Sequence, residues 1–437
     1  MSEEITVFYE AFPVGKLLID NDGAISFAYD LRWTESRGAF PISLTMPLAA
    51  DTYSPDTVHP WLANLLPEER QLATLARAIG VDRKDTIAIL REIGGDTAGA
   101  LSFGAPSLRE DWRFEPLETF YQLEDPEAAL LRHFADLKER PFLAGEDGVR
   151  LSLAGGQEKA TLTVLDAGGR PRLGLPKPGD ILAIPKTGAP STLIVKPDND
   201  RIPGIVENEA YCLTLAAAIG IETVEVSILK AGPRNALAVA RYDRAYRKDG
   251  QIRRLHQEDF AQANRVFPVN KYEAGTVPGP TIATLLATGR NLPSRDGLKL
   301  LDQLIFNILV ANTDAHAKNY SLLLASERAL APLYDVSTVL PWPHVNQNFA
   351  QKIDGKKRKP EDVAARHWDA IAATGGYNPR QTRLRVKELV DAIVGAGVRT
   401  YEHVASHPGA IAPLVEQART CVEGNALRIL GRLKEYP

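Results

Sequence analysis

Cysteine is nearly absent: Cys212 and Cys421 are the only two among 437 residues. Two thiols exclude a disulfide framework and a multi-cysteine zinc centre. The histidines show no metal spacing, with His256 and His316 far apart in the chain. Excess charge is missing as well. Fifty-one Lys and Arg face 55 Asp and Glu, a formal net charge of -4. That balance excludes a polycation that neutralises DNA with its whole surface, but leaves room for a local basic patch. No run approaches the ~18 consecutive apolar residues of a membrane span. The opening MSEEITVFYE lacks the charged-then-apolar pattern of a secretory leader. The expectation is a cytoplasmic protein with no membrane partner. What is present is a globular composition, 44% hydrophobic and 24% charged. At ~150 residues per domain, the length predicts about three domains or lobes.

No internal repeat divides the chain, so boundaries rest on local pattern. Ile5–Tyr9, Leu17–Ile19 and Ala24–Ala28 read as strands, with Asn21-Asp22-Gly23 as a turn. A helical run is expected from Trp61 through Leu66, continued from Arg70 and stopped by Gly80. Ala105-Pro106 suggests a first boundary, giving an N-terminal unit over 1–106. A strand-rich second unit is expected over 107–260, with Leu151–Leu153 and Thr161–Val164 flanking a small loop. Residues 167–191, rich in Gly and Pro, read as loop. Thr192–Lys196 reads as a buried strand ended by Pro197, and Asn208 as the cap of a helix running to Ile219. Val224–Leu229 and Ala236–Ala240 read as two more strands. The third unit, 261–437, is mostly helical. Leu301, Leu304, Ile305, Ile308 and Leu309 mark one apolar helix face. Cys212 falls on the apolar face of its helix and reads as a small core residue.

The chemistry-bearing segment follows that amphipathic helix. In Asn312-Thr313-Asp314-Ala315-His316-Ala317-Lys318-Asn319, Asp314 and Asn319 are five positions apart. That is the offset of a kinase catalytic loop, where Asp takes the acceptor proton and Asn holds Mg²⁺. Asp335 follows a short hairpin, where a second metal-binding carboxylate belongs. Phosphoryl transfer needs such a set because it is mostly positioning plus charge stabilisation. Upstream, Lys196 ends a strand, as a phosphate-contacting Lys does, and Glu209 offers it a partner. The strand ending in Ala240-Arg241-Tyr242-Asp243 resembles a hinge that offers backbone hydrogen bonds to adenine. The loop from Ser152 to Lys159 stands where a phosphate cover belongs, though it matches neither G-x-G-x-x-G nor a Walker A pattern. Each item is weak alone. A Lys at a strand end, a first-turn Glu and a loop Asp are ordinary surface features. Their joint order is what points to a two-lobed kinase.

These residues resemble the HipA family, the serine/threonine kinase toxins of bacterial HipBA toxin–antitoxin modules. The resemblance rests on Leu151–Ala160, Glu209–Leu213, Ala236–Arg244, Leu255–Phe260, Thr313–Asn319 and Leu333–Asp335. Asn64–Glu68 and Ile93–Ala100 fit as well, so it runs from about residue 5 to about 340. It implies an α+β, two-lobed protein-kinase-like fold with an extra N-terminal subdomain and a mostly helical C-terminal lobe. It implies ATP and Mg²⁺ as cofactors. Asp314 takes the catalytic role, and Asn319 and Asp335 the metal roles. Ala154, Gly155, Gly156, Gln157, Lys159, Lys196 and Lys318 fall to ATP binding, with Arg241 and Tyr242 at the hinge. Asp243 and His316 fall at the ribose or in support of the loop. Ser152 falls on the family's autophosphorylation site, and Glu209 is the ion-pair candidate. The implied partners are a HipB-like helix-turn-helix antitoxin dimer, operator DNA mainly through that antitoxin, and a protein acceptor, by analogy an aminoacyl-tRNA synthetase such as glutamyl-tRNA synthetase. Association with the nucleoid would follow from that complex. Lys356, Lys357, Arg358 and Lys359 are candidates for DNA phosphate contact, with a solvated loop as the plainer reading. Gly156 stands where many relatives have Ala, Ala240 where some have Glu, and 341–360 is divergent. The alternatives are a kinase-fold scaffold or corepressor with weak catalysis, and a small-molecule kinase.

Overall fold

The computed structural model describes residues 3–324 and 327–434. The N-terminal unit is built on an antiparallel sheet of β1 (Glu3–Tyr9), β2 (Phe12–Ile19), β3 (Ile25–Tyr29) and β4 (Leu101–Phe103), in the order β3-β2-β1-β4. Alternation sends Ile5, Val7, Leu17 and Phe27 to the buried face. At the β2–β3 turn, Asp20 Oδ1 accepts from the Asp22 and Ala24 amides, and Gly23 takes φ 79°. The single helical run expected from Trp61 is two helices, Pro55–Ala63 and Glu69–Ala78. Pro55 opens the first, where its missing amide costs nothing. Asn64 ends it by donating its side chain to Pro60 O at 2.8 Å. The break frees Asn64–Glu68 to face the rest of the chain.

A larger sheet follows: β5 (Arg113–Pro116), β6 (Ala160–Leu165), β7 (Pro171–Arg172), β8 (Ile181–Lys186), β9 (Leu193–Pro197), β10 (Val226–Ala231) and β11 (Arg234–Ala240). Its path is β10-β11-β9-β6-β8-β5, with β7 paired to β6. The loop expected over 167–191 is corrected here, since β7 and β8 lie inside it. Pro185 and the flanking glycines hid β8, whose Ala183 pairs with Thr163. The expected strand Leu151–Leu153 reduces to a bridge between Leu151 and Asp96. The helix after β9 is Ile205–Ala218, capped by Gly204 at φ 82°. Asn208 is therefore an interior residue and not the cap. Its amide holds Thr338, donating to Thr338 O at 3.0 Å and accepting from Thr338 N at 2.8 Å.

After β11 come a two-stranded hairpin of Arg244–Tyr246 and Ile252–Arg254 and a small sheet of Gln257–Asp259, Ser321–Leu323 and Ala329–Leu330, and the remaining regular elements are helical. Leu301, Leu304, Ile305, Ile308 and Leu309 of the Ser294–Leu309 helix are all buried, as their spacing predicts. Two long helices, Pro379–Ala405 and Ala412–Lys434, pack on each other and on Ile205–Ala218. One apolar core joins that last helix, carrying the buried Cys212, to the helical lobe. A second joins the N-terminal sheet to the other half of the large sheet. The site lies in the cleft where the large sheet meets the helical lobe.

Candidate active site

The cleft has a volume of about 890 Å³. Its upper wall comes from β9. Lys196 points inward because Leu193 and Val195 face the core. Its ammonium donates to Glu209 Oε1 at 2.6 Å and to Asp335 Oδ1 at 2.7 Å. Burial alone would push Lys196 down, but Asp335 and Glu209 hold it above the usual lysine range. Burial likewise raises Asp335, yet Lys196 overrides it and holds the carboxyl well below the usual range. The Glu209 carboxyl is pushed up by burial, partly offset by Lys196. Asp335 sits at φ 58°, a left-handed backbone rare for a residue with a side chain. The Asp335 side chain is 39% exposed, against 4% for Glu209. Glu209 is thus the fixed partner and Asp335 the one open to a ligand.

The floor is the Asp314–Asn319 segment. Asn319 donates its side chain to Asp314 O at 3.0 Å, and the His316 amide donates to the same carbonyl at 2.7 Å. The loop therefore closes on itself and aims the Asp314 carboxylate into the cleft. That carboxyl is pushed up to about 6, first by desolvation between the cleft walls and further by Asp335, against a hydrogen bond from Tyr272. His316 is buried, and burial lowers it well below the usual histidine range. Asn319 and Asp335, the two residues expected to hold a cation, both line the cleft and carry side-chain oxygens. Among the described residues no group of three or more His, Cys, Asp or Glu could hold a metal. Two protein oxygens plus phosphate and water suit Mg²⁺, which keeps waters and phosphate oxygens in its shell.

Above the cleft runs the loop 152–159. Ala154, Gly155, Gly156 and Gln157 line the space, and Lys159 donates to Ala154 O at 2.6 Å. Burial pushes Lys159 down to about 8. Ser152 is not in the lining. It is fully buried, and its Oγ donates to Leu65 O at 2.9 Å. Glu68 N donates to Gly155 O at 3.2 Å, so Asn64–Glu68 holds this loop from behind. The same segment holds the Asp314–Asn319 loop. Lys318 donates to Asn64 Oδ1 at 2.8 Å, Asn64 O at 3.1 Å and Asp259 Oδ2 at 2.8 Å. Lys318 lines the cleft as expected of an ATP contact, while its ammonium is held by these three protein acceptors.

The hinge divides in the same way. Tyr242 stacks on Tyr334, with ring centroids 5.7 Å apart and planes at 23°, and donates to Gln257 at 2.8 Å. Arg241 and Asp243 border the cleft, but their side chains turn into a buried cluster. Arg241 bonds Asp243 at 2.9 and 2.6 Å, and Asp243 also accepts from Gly99 N at 2.7 Å. Asp96 accepts from Arg244 at 2.9 Å, Arg254 at 2.7 Å and Ser191 Oγ at 2.5 Å. Asp243 thus lines the cleft while its carboxylate is held by Arg241 and Gly99 N. The basic run lies at the opposite rim. Lys357 lines the cleft and donates to Phe349 O and Ala350 O at 2.9 and 2.7 Å. Lys356 and Lys359 are exposed, and Arg358 is partly buried.

Tyr272 is the residue that sequence reasoning missed. Its hydroxyl donates to Asp314. No kinase motif contains it; the only local sign is an aromatic beside Lys271 within a Pro- and Gly-rich segment. Tyr334 was missed as a stacking partner although it directly precedes Asp335.

Residues 5–104 match the family described as HipA N-terminal domain, and residues 151–397 the family described as HipA-like C-terminal domain. The chain is 37% identical to the putative kinase Y4mE of Sinorhizobium fredii, over 91% of this chain and 92% of that protein. It is 31% identical to the serine/threonine-protein kinase toxin HipA of Shewanella oneidensis, over 78% and 76%. A solved complex of Shewanella oneidensis HipA, HipB and operator DNA matches with a TM-score of 0.81 and 26% identity, covering 99% of this chain and 98% of that one. A two-lobed cleft with this order of Lys, Glu, Asp, Asn and Asp, together with family matches across both lobes, leads to one conclusion: the chain belongs to the HipA family of kinases.

Proposed function

We propose that this chain is the toxin component of a toxin–antitoxin module and acts as a Mg²⁺- and ATP-dependent serine/threonine protein kinase. The observation that carries the reading is Lys196 bridging Glu209 and Asp335 at the head of the cleft that Asp314 and Asn319 floor. Adenine lies against the hinge backbone at Arg241 and Tyr242, with Tyr334 beside it. The acceptor hydroxyl sits on Asp314. Its oxygen bonds the γ-phosphorus, its proton passes to Asp314, and the bond to the departing ADP breaks. Lys196 neutralises phosphate charge through the step. Asn319 and Asp335 would hold Mg²⁺, which when bound offsets the charge on the phosphate oxygens.

Autophosphorylation of Ser152 is the off-switch. A phosphoserine brings about -1.5 to -2 charges. No such group fits where the Ser152 hydroxyl is buried against Leu65 O, so the loop must leave. With it goes the cover over the nucleotide phosphates. The partners are a HipB-like antitoxin dimer and, through it, operator DNA, with Lys356, Lys357, Arg358 and Lys359 as candidate phosphate contacts. An aminoacyl-tRNA synthetase such as the glutamyl enzyme is the acceptor that analogy favours. Phosphorylating it would inhibit translation and growth.

The test is incubation with γ-labelled ATP and Mg²⁺, then mass mapping. Removing a positioned base typically lowers rate by ~10²–10⁴, so Asp314→Asn should abolish label on Ser152 while the thermal midpoint holds. Near-normal labelling of that variant would overturn the assignment.

A further inference from the structure

The segment between Asn264 and the Ile282–Gly289 helix has no part in the reading above. It crosses the cleft mouth and sets Tyr272 against Asp314. The phenol donates to Asp314 Oδ1, and the ring stands edge-on to His316, with centroids 5.0 Å apart and planes at 86°. Three ties fix this position. Lys271 pairs with Glu68 Oε2 at 2.5 Å, which joins the strap to the N-terminal unit. Glu273 N donates to Ala350 O at 3.1 Å, and Glu273 Oε2 accepts from Lys352 N at 2.8 Å, which joins it to the far rim. Gly279 N donates to Tyr272 O at 3.0 Å. A Cβ at Gly279 would lie 1.9 Å from Asn270 O and 2.5 Å from Tyr272 O, so that turn needs glycine.

We propose that Tyr272 occupies the seat of the acceptor hydroxyl on Asp314 and so makes the site discriminate a hydroxyl borne on a protein segment from water. This deepens the kinase reading and rests on it. A carboxylate oxygen that already accepts a phenolic proton is a poorer acceptor for a proton from water. Water brings no other contact to offset displacement of the phenol. A peptide brings contacts along the cleft mouth, and that binding drives the exchange. The phenol stays a donor throughout, because burial and Asp314 push its own ionisation up. Hydrolysis is the reaction held back: the water oxygen would bond the γ-phosphorus, the bond to ADP would break, and one water proton would pass to Asp314.

The experiment uses the full chain with Mg²⁺ and ATP and no acceptor. ADP release is followed beyond one equivalent per chain, which separates turnover from self-transfer. Tyr272→Phe keeps the ring on His316 and removes only the hydroxyl. It should hydrolyse ATP roughly tenfold faster than wild type, the weight of one charge-assisted hydrogen bond. Adding Asp314→Asn should abolish the gain. With casein as probe, the ratio of phosphate transferred to ADP released should fall in Tyr272→Phe. Unchanged or slower hydrolysis in Tyr272→Phe, with wild type still transferring phosphate to protein, would overturn the assignment and leave the kinase reading standing. Phosphate mapped onto Tyr272 itself would also overturn it, since the residue would then be an acceptor. Neither hydrolysis nor transfer by wild type would remove the kinase reading, and this inference with it.

Discussion

Two ionic clusters, made of similar residues, lie on either side of the hinge. In the cleft, Lys196 sits between Glu209 and Asp335. Behind the hinge, Arg241, Arg244 and Arg254 surround Asp96 and Asp243. The difference is closure. Asp96 is 1% exposed and receives three side-chain donors at 2.9 Å or less. Asp335 is bonded to one lysine, keeps a strained backbone and opens to the cleft. A buried carboxylate with all its lone pairs used can only hold structure together. A carboxylate left partly open retains capacity for a ligand. Charged residues at a motif position therefore do not identify a ligand site until their remaining capacity is known.

Four outcomes would break or sharpen this contrast. The largest is expected from Asp96→Asn, which leaves three buried guanidinium groups facing one carboxylate. Removing one partner of a buried pair costs about 3–5 kcal/mol, to be read from urea unfolding. Asp335→Asn should instead leave the unfolding midpoint close to wild type and abolish phosphate transfer. Equal stability losses in the two would erase the distinction.

Next come the two lysines. Lys318→Met should destabilise by about 3 kcal/mol, because it strands Asp259 without its buried partner. Lys196→Met should chiefly weaken ATP binding, measured by nucleotide titration. The reverse pattern would exchange the roles of the two lysines.

The acid limb of stability comes third. For Asp96, burial raises the carboxyl, but Arg244, Arg254 and Arg241 together lower it well below the usual range. Asp243 is lowered in the same way against its burial. A depressed carboxyl contributes stability fully above its unfolded value, near ~4. That contribution is lost as pH falls below ~4 toward the folded value, at up to ~1.4 kcal/mol per pH unit for each proton taken up. Wild type should therefore weaken below pH ~4, and Asp96→Asn should show a shallower slope. Identical slopes would remove Asp96 from the linkage.

The smallest effect is in the loop. Nothing lies within 4 Å of a Cβ built at Gly156, whereas Gly155 holds φ 107° and its Cβ would meet Lys159 Nζ at 2.8 Å. Gly156→Ala should stabilise by about 0.4–1 kcal/mol through the unfolded chain. Gly155→Ala should destabilise. Thermal midpoints would show a shared sign if the two glycines were equivalent.

That Asp314 and Asn319 share one loop at the cleft was legible in the chain because their spacing is local. The meeting of Lys196 with Glu209 and Asp335 was anticipated from their order along the chain. The Ser294–Leu309 helix was legible from its 3.6-residue period. β8 was not, because Pro185 and nearby glycines mask a strand that its neighbours stabilise. Asn208 has the chemistry of a cap, yet Gly204 four residues earlier already turns the chain into the helix.

By itself, the sequence determined which side chains can do phosphoryl chemistry and in what order they come. Only the tertiary structure decided which of them are free to do it. Arg241 meets Asp96 across 145 residues, and Lys318 meets Asn64 across 254. Tyr272 reaches Asp314 across 42. Charge and hydrogen-bonding capacity are properties of a residue, but whether that capacity is already filled depends on neighbours brought in from elsewhere in the chain.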